Sequence, residues 1–86
     1  MIAQDVVKHP LATEKAMRLM ESENKLVFVI DRNASKLDVS RAVERLFKVK
    51  VTDVNTYITA KGEKRAYVRL SPEHPAIDVM TQLGLM

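Results

Sequence analysis

Cysteine is absent from this 86-residue chain, glycine occurs twice and proline three times, and no uncharged apolar run reaches 18 residues. Each shortage removes a class of explanation. Without thiols there is no disulfide framework, thiolate zinc site or cysteine nucleophile, and a reducing compartment, the cytosol by default, is expected. With few helix breakers and 47% hydrophobic residues the composition is globular rather than disordered. The apolar runs are too short to cross a bilayer, and the opening MIAQDVVKHP lacks the basic start and long apolar stretch of a signal peptide. Neither secretion nor membrane insertion is expected. A chain of this length forms one small domain, residues 1–86, burying about 60 to 65% of its unfolded surface.

The parts of a catalytic site are missing too. His9 and His74 each precede a proline in polar surroundings, with no second ligand at metal-site spacing. No GxSxG, P-loop or GxGxxG pattern occurs, and Gly62 and Gly84 are accounted for by a turn and a helix stop. Carboxylates are scattered singly beside Lys or Arg, so no pair is set up for acid and base work. The expectation is a binding protein with no cofactor, no metal and no small-molecule substrate.

What is present is an uneven distribution of charge. From Arg32 to Arg69 there are ten Lys or Arg against four Asp or Glu, or +6, while the remaining residues hold four against seven, or −3. A basic middle of this kind can meet a polyanion, because neutralising phosphates with Lys and Arg drives sequence-independent nucleic-acid binding. A solvated basic face explains the same charge without a ligand.

Helical and extended patterns alternate along the chain. Thr13 can cap a helix to about Glu23, with Glu14 one turn before Arg18. The run KLVFVI, Lys25 to Ile30, reads as a buried strand. Ser35 and Asp38 resemble a capping box, followed by Val39, Ala42, Val43, Leu46 and Phe47 at helical spacing, with an end near Lys48. The strands VTDVNTYIT and KRAYVRL are joined by AKGE, the mark of a hairpin. A last short helix runs from about Ala76 to Leu83, and Val6 to His9 can add an edge strand. Together these predict an α+β sandwich of β-α-β-α-β-β type: a four-stranded antiparallel sheet with helices one and two on one face and a short C-terminal helix.

Alternation in the second hairpin strand sends Ala66, Val68 and Leu70 to one face and Arg65, Tyr67 and Arg69 to the other. Asn55 and Tyr57 can join the open face, and Lys61 and Lys64 sit at the turn. Cations beside an aromatic that can stack on a base suit RNA better than duplex DNA. Arg41, Arg45 and Lys48 form a second basic stripe on helix two, with Glu44 spaced to pair with Lys48. Met17 and Met20 are either core filler or a pad for a partner.

HPLATEKAM at His9 to Met17, LFKVKVTDVNTYITAKGEKRAYVRL at Leu46 to Leu70, and KRAYVRLS followed by seven residues and then Val79 resemble the L-twenty-three family of large-subunit ribosomal proteins. The resemblance spans essentially the whole chain. It implies a cytoplasmic, ribosomal, non-enzymatic protein bound to large-subunit rRNA beside the tunnel exit, next to a ribosomal protein of the L-twenty-nine family. Carried over residue by residue, it assigns rRNA contacts to Lys8, His9, Lys36, Asn55, Thr56, Lys61, Lys64, Arg65 and Arg69, to which the strand pattern adds Tyr67. Glu14, with Met17 and Arg18 beside it, falls where bacterial members dock trigger factor and the signal recognition particle.

Two departures bear on that transfer. Where bacterial members carry a second docking acid after the LF of helix two, this chain has Lys48. Their long tunnel-reaching loop is replaced by the tight AKGE turn, which, with the C-terminal helix and the trailing TQLGLM, resembles the archaeal branch. An RNA-recognition motif shares the topology, but Glu63, Lys64 and Arg65 stand where its signature needs basic, glycine and aromatic residues. An acylphosphatase-like enzyme needs a glycine-bearing anion loop, which is absent.

Overall fold

The computed structural model describes residues 3–84, with side chains from Asp5 onward, so the last two residues of the TQLGLM tail lie outside it. Eight elements follow one another: α1 (Ala3–Val6), β1 (Val7–Pro10), α2 (Glu14–Glu23), β2 (Lys25–Ile30), α3 (Lys36–Phe47), β3 (Val51–Ile58), β4 (Lys64–Leu70) and α4 (Ala76–Gln82). The strands form one antiparallel sheet in the order β1-β2-β4-β3. The α+β class, the four antiparallel strands and the short C-terminal helix match the sequence reading. The segment before β1 adds a single helical turn that was not expected, and it buries Val6 in the core.

Local chemistry explains the boundaries. The Thr13 hydroxyl accepts from the Ala16 amide at the start of α2. At α3 the capping box is complete: Ser35 Oγ accepts from the Asp38 amide, and the Asp38 carboxylate accepts from the Ser35 amide. Hydrogen bonding to the carboxylate from Ser35, its backbone amide first and its hydroxyl second, holds the Asp38 carboxyl below its ordinary range. Both helices end on a residue in the left-handed conformation, Asn24 (φ 56°) and Lys48 (φ 55°). Glu44 does not pair with Lys48 as its spacing suggests; its carboxylate accepts from the Val51 amide at 3.1 Å and so ties α3 to β3.

Phe28, Leu26 and Ile30 of β2 and Ala66, Val68 and Leu70 of β4 pack against Val39, Ala42 and Val43 of α3. Phe28 stacks on Phe47 with centroids 5.8 Å apart. Val79 and Met80 of α4 close the same core. Truncating a fully buried aromatic such as Phe28 to alanine costs about 3 to 5 kcal/mol.

The helices distribute over both sides of the sheet rather than one. Val27 and Val29, pointing away from α3, are only 6% and 5% exposed, so β2 is covered on its second face too. The first turns of α2 lie there: Lys15, Ala16 and Leu19 gather around Val27 together with Tyr57 and Tyr67. Met20, farther along α2, reaches the main core. An uninterrupted apolar strand needs cover on both faces, and a single helical layer cannot supply it.

Asn24 knits the segments at one end of the sheet. Its side-chain amide donates toward the carbonyls of Leu70, Ser71 and His74 at 3.1 to 3.2 Å. Its Oδ1 accepts from the Ala76 amide at 2.6 Å, and its own carbonyl accepts from Leu70. One residue thus fixes the exit of α2, the end of β4 and the start of α4.

Candidate nucleic-acid interface

The hairpin that carries the basic strand is built by a tight turn. The Gly62 amide donates to the Thr59 carbonyl at 2.9 Å and the Thr59 amide to the Glu63 carbonyl at 2.8 Å. Gly62 has φ +86°, the left-handed bulge residue of a three-residue hairpin loop, where a side chain would be strained. Lys61 is exposed at its tip, and the Arg32 guanidinium lies beside Gly62.

Cross-strand register then sets three rows on the face opposite α3. His9, Val29, Arg65 and Tyr57 form one row, Val27, Tyr67 and Asn55 the next, and Lys25, Arg69 and Asp53 the third. Four of the expected rRNA contacts therefore share one face, Asn55, Arg65, Tyr67 and Arg69, while His9 follows an irregularity in the pairing of β1 at the sheet edge. Arg69 is exposed and shares a groove with Glu21 and Glu23, and Lys25 pairs with Glu23 at 3.4 Å. Arg65 is held by Glu63 at 2.7 Å and lies within hydrogen-bonding reach of the Tyr57 hydroxyl, contacts that raise its pKa.

Tyr57 and Tyr67 form an edge-to-face pair, centroids 5.2 Å apart at 64°, with hydroxyls 3.2 Å apart. Burial pushes the Tyr57 phenol up, but hydrogen bonds from Tyr67 and Arg65 outweigh it and leave it below the ordinary tyrosine value. Tyr67 is moved up, first by its hydrogen bond to Tyr57 and then by burial.

Other expected residues lie elsewhere. Thr56 and Lys64 point to the α3 side of the sheet, and the Lys64 ammonium donates to the Ala34 carbonyl at 2.7 Å instead of standing free at the turn. Lys36 is exposed at the first residue of α3. Lys8 is exposed on β1 and, with His9, borders a groove of about 270 Å³ floored by Phe28 and Phe47. Glu14 and Arg18 form the expected pair, 2.6 Å apart and largely in solvent. Met17 packs partly against the core. The cation at Arg32 and the approach of Lys15 to Tyr57 carried no signal in the sequence, since both depend on chain segments distant from the hairpin.

Among the described residues no cluster of His, Cys, Asp or Glu could hold a metal, and no helix is long and apolar enough to cross a membrane.

Comparison with known proteins gives the same direction. The profile of "Ribosomal protein L23" matches residues 5–78. The "Large ribosomal subunit protein uL23" of Methanococcus aeolicus is 53% identical over 85 residues, covering 99% of each chain. That of Pyrobaculum aerophilum is 49% identical over 81 residues, covering 94% of this chain and all of the relative. Both organisms are archaea, in keeping with the short hairpin. On the matched profile and these identities, the chain belongs to the ribosomal protein L23 family.

Proposed function

We propose that this chain is a structural constituent of the large ribosomal subunit, that it binds large-subunit rRNA through the open face and tip of its β3–β4 hairpin, and that it sits beside the polypeptide exit. Family membership itself carries a ribosomal, cytoplasmic and non-catalytic role. The observation that supports the rRNA reading most directly is the gathering of Asn55, Arg65, Tyr67 and Arg69 on one sheet face, with Lys61 at the end of the same hairpin. Phosphate-directed cations interleaved with stacking rings suit structured RNA with unpaired positions. Lys8, Lys36 and Thr56 extend the proposed contacts beyond that face, whereas the Lys64 ammonium is engaged by the Ala34 carbonyl and is left out of the proposed phosphate contacts.

The test is a titration of large-subunit rRNA fragments at several salt concentrations against an unrelated structured RNA. Tight binding to one fragment with weak binding to the control is the expected result; equal affinity for every RNA reduces the interface to a basic patch and overturns the reading.

For protein partners the proposal is a neighbour of the L-twenty-nine family and factors such as the signal recognition particle, docked at the exposed Glu14 with Arg18 and the accessible part of Met17. An exposed pair at this spacing contributes about 0.3 to 0.5 kcal/mol, so Glu14→Ala leaves the fold intact. Ribosomes carrying Glu14→Ala should bind the particle more weakly, and unchanged affinity removes Glu14 from the docking site.

A further inference from the structure

A cleft of about 100 Å³ opens between the first turns of α2 and the hairpin face. Its floor is apolar, made by Val27 and Ala16, both buried. One wall is the Tyr57–Tyr67 pair and the rim carries two cations, Arg65 from β4 and Lys15 from α2. The edge-to-face geometry of the two rings satisfies each against the other and still leaves Tyr57 over a third exposed. Aromatic surface is costly to leave in water unless something flat covers it.

We propose that this cleft takes a single unpaired RNA base, stacked on the tyrosine pair, with Lys15 and Arg65 meeting the phosphates on either side. The inference rests on the rRNA-binding reading and narrows it to a place and a nucleotide state. Three features select this ligand. At about 100 Å³ the cleft is on the scale of one base and far smaller than a base pair. Its floor is apolar, as the face of a base requires, and its polar groups lie at the rim, where a sugar–phosphate backbone runs. The two cations come from separate elements and line the same cleft as the rings, so the phosphates next to an inserted base meet counter-charge there. Stacking on an aromatic is tolerant of base identity, so the selection is for an unstacked base rather than a sequence.

The chain has two tyrosines and no tryptophan, and both tyrosines stand in this cleft, so their ring signals report on it alone. The experiment follows the tyrosine ring protons by NMR in the full chain. It uses a large-subunit rRNA fragment that binds, a short hairpin with one bulged adenosine, and the same hairpin fully paired, with RNA binding read separately by fluorescence anisotropy. Saturable upfield ring shifts are expected with the rRNA fragment and the bulged hairpin and not with the paired one. Tyr57→Leu should weaken the bulged hairpin roughly 5- to 150-fold, the span for one lost base stack, while Tyr57→Phe keeps the ring and binds near the parent level. Anisotropy showing rRNA bound while the tyrosine signals stay still, or shifts equal for bulged and paired hairpins, overturns this inference and leaves the rRNA interface standing. No binding of any rRNA fragment overturns both.

Discussion

Alanine at Lys61, Arg65 and Arg69 together removes three cations from the tip and open face of the hairpin and takes the formal net charge from +3 to 0. Each neutralised phosphate contributes about 0.7 to 0.9 to the slope of log affinity against log salt, so three lost contacts flatten that slope by about 2.1 to 2.7. Over a roughly fourfold rise in salt the parent should then lose about 20- to 40-fold more affinity than the variant. Arg65 is already paired with Glu63 at 2.7 Å, which favours the lower end of that range. Lys64 is left out because its ammonium is engaged by the Ala34 carbonyl. The assay is a filter-binding series on an rRNA fragment, run beside a second variant, Arg41, Arg45 and Lys48 to alanine, which makes the same change in net charge on the exposed side of α3. If both triples flatten the slope equally, overall charge and not the hairpin governs binding, and the reasoning fails.

Replacing Asn24 by alanine removes its bonds to Leu70, Ser71, His74 and Ala76 and puts a side chain ill suited to φ 56° at the end of α2. A loss of about 2 to 4 kcal/mol is expected by thermal melting, with Asn24→Gly less damaging because it keeps the left-handed backbone; equal losses would show that the conformation contributes nothing. Lys64→Met keeps the apolar stem but strands the Ala34 carbonyl, costing about 1 to 3 kcal/mol in denaturant melts with little change in RNA salt slope. A changed slope would mean the ammonium also reaches phosphate. In a spectrophotometric titration of the two phenols, Tyr57 ionises below and Tyr67 above the ordinary value. Tyr57, lowered in the fold, adds stability as pH rises through its folded value, whereas the contribution of Tyr67, raised in the fold, is present below the unfolded value and lost as pH rises through the folded one. Tyr57→Phe should leave one step, closer to ordinary because Tyr67 has lost its hydrogen bond to Tyr57; a step still raised as before would assign the shift to burial.

Features set by neighbouring residues were legible in the sequence. The Ser35–Asp38 box, the Thr13 cap, the AKGE turn and the alternation of Ala66, Val68 and Leu70 with Arg65, Tyr67 and Arg69 each depend on spacings of two to four residues. What depends on distant segments was not. Alternation separates two faces of a strand but does not say which helix covers which, although the unbroken KLVFVI already demanded cover on both. Lys64 looked like a free turn cation because its acceptor, Ala34, is thirty residues away. Asn24 carried no signal of its role, since its partners lie 46 to 52 residues downstream. Val6 and Val7 looked extended throughout, and burial of Val6 beneath α3 draws the first residues into a turn of helix.

The strand order β1-β2-β4-β3 has a consequence for how the chain acquires its shape. The central partners β2 and β4 are separated by α3 and β3, so nearly the whole polypeptide must exist before the middle of the sheet can close. The β3–β4 hairpin, by contrast, closes over a three-residue loop and can form as soon as it is synthesised. Its rings and cations can therefore come together before β4 docks against β2, and assembly onto RNA can begin while the rest of the fold is still settling.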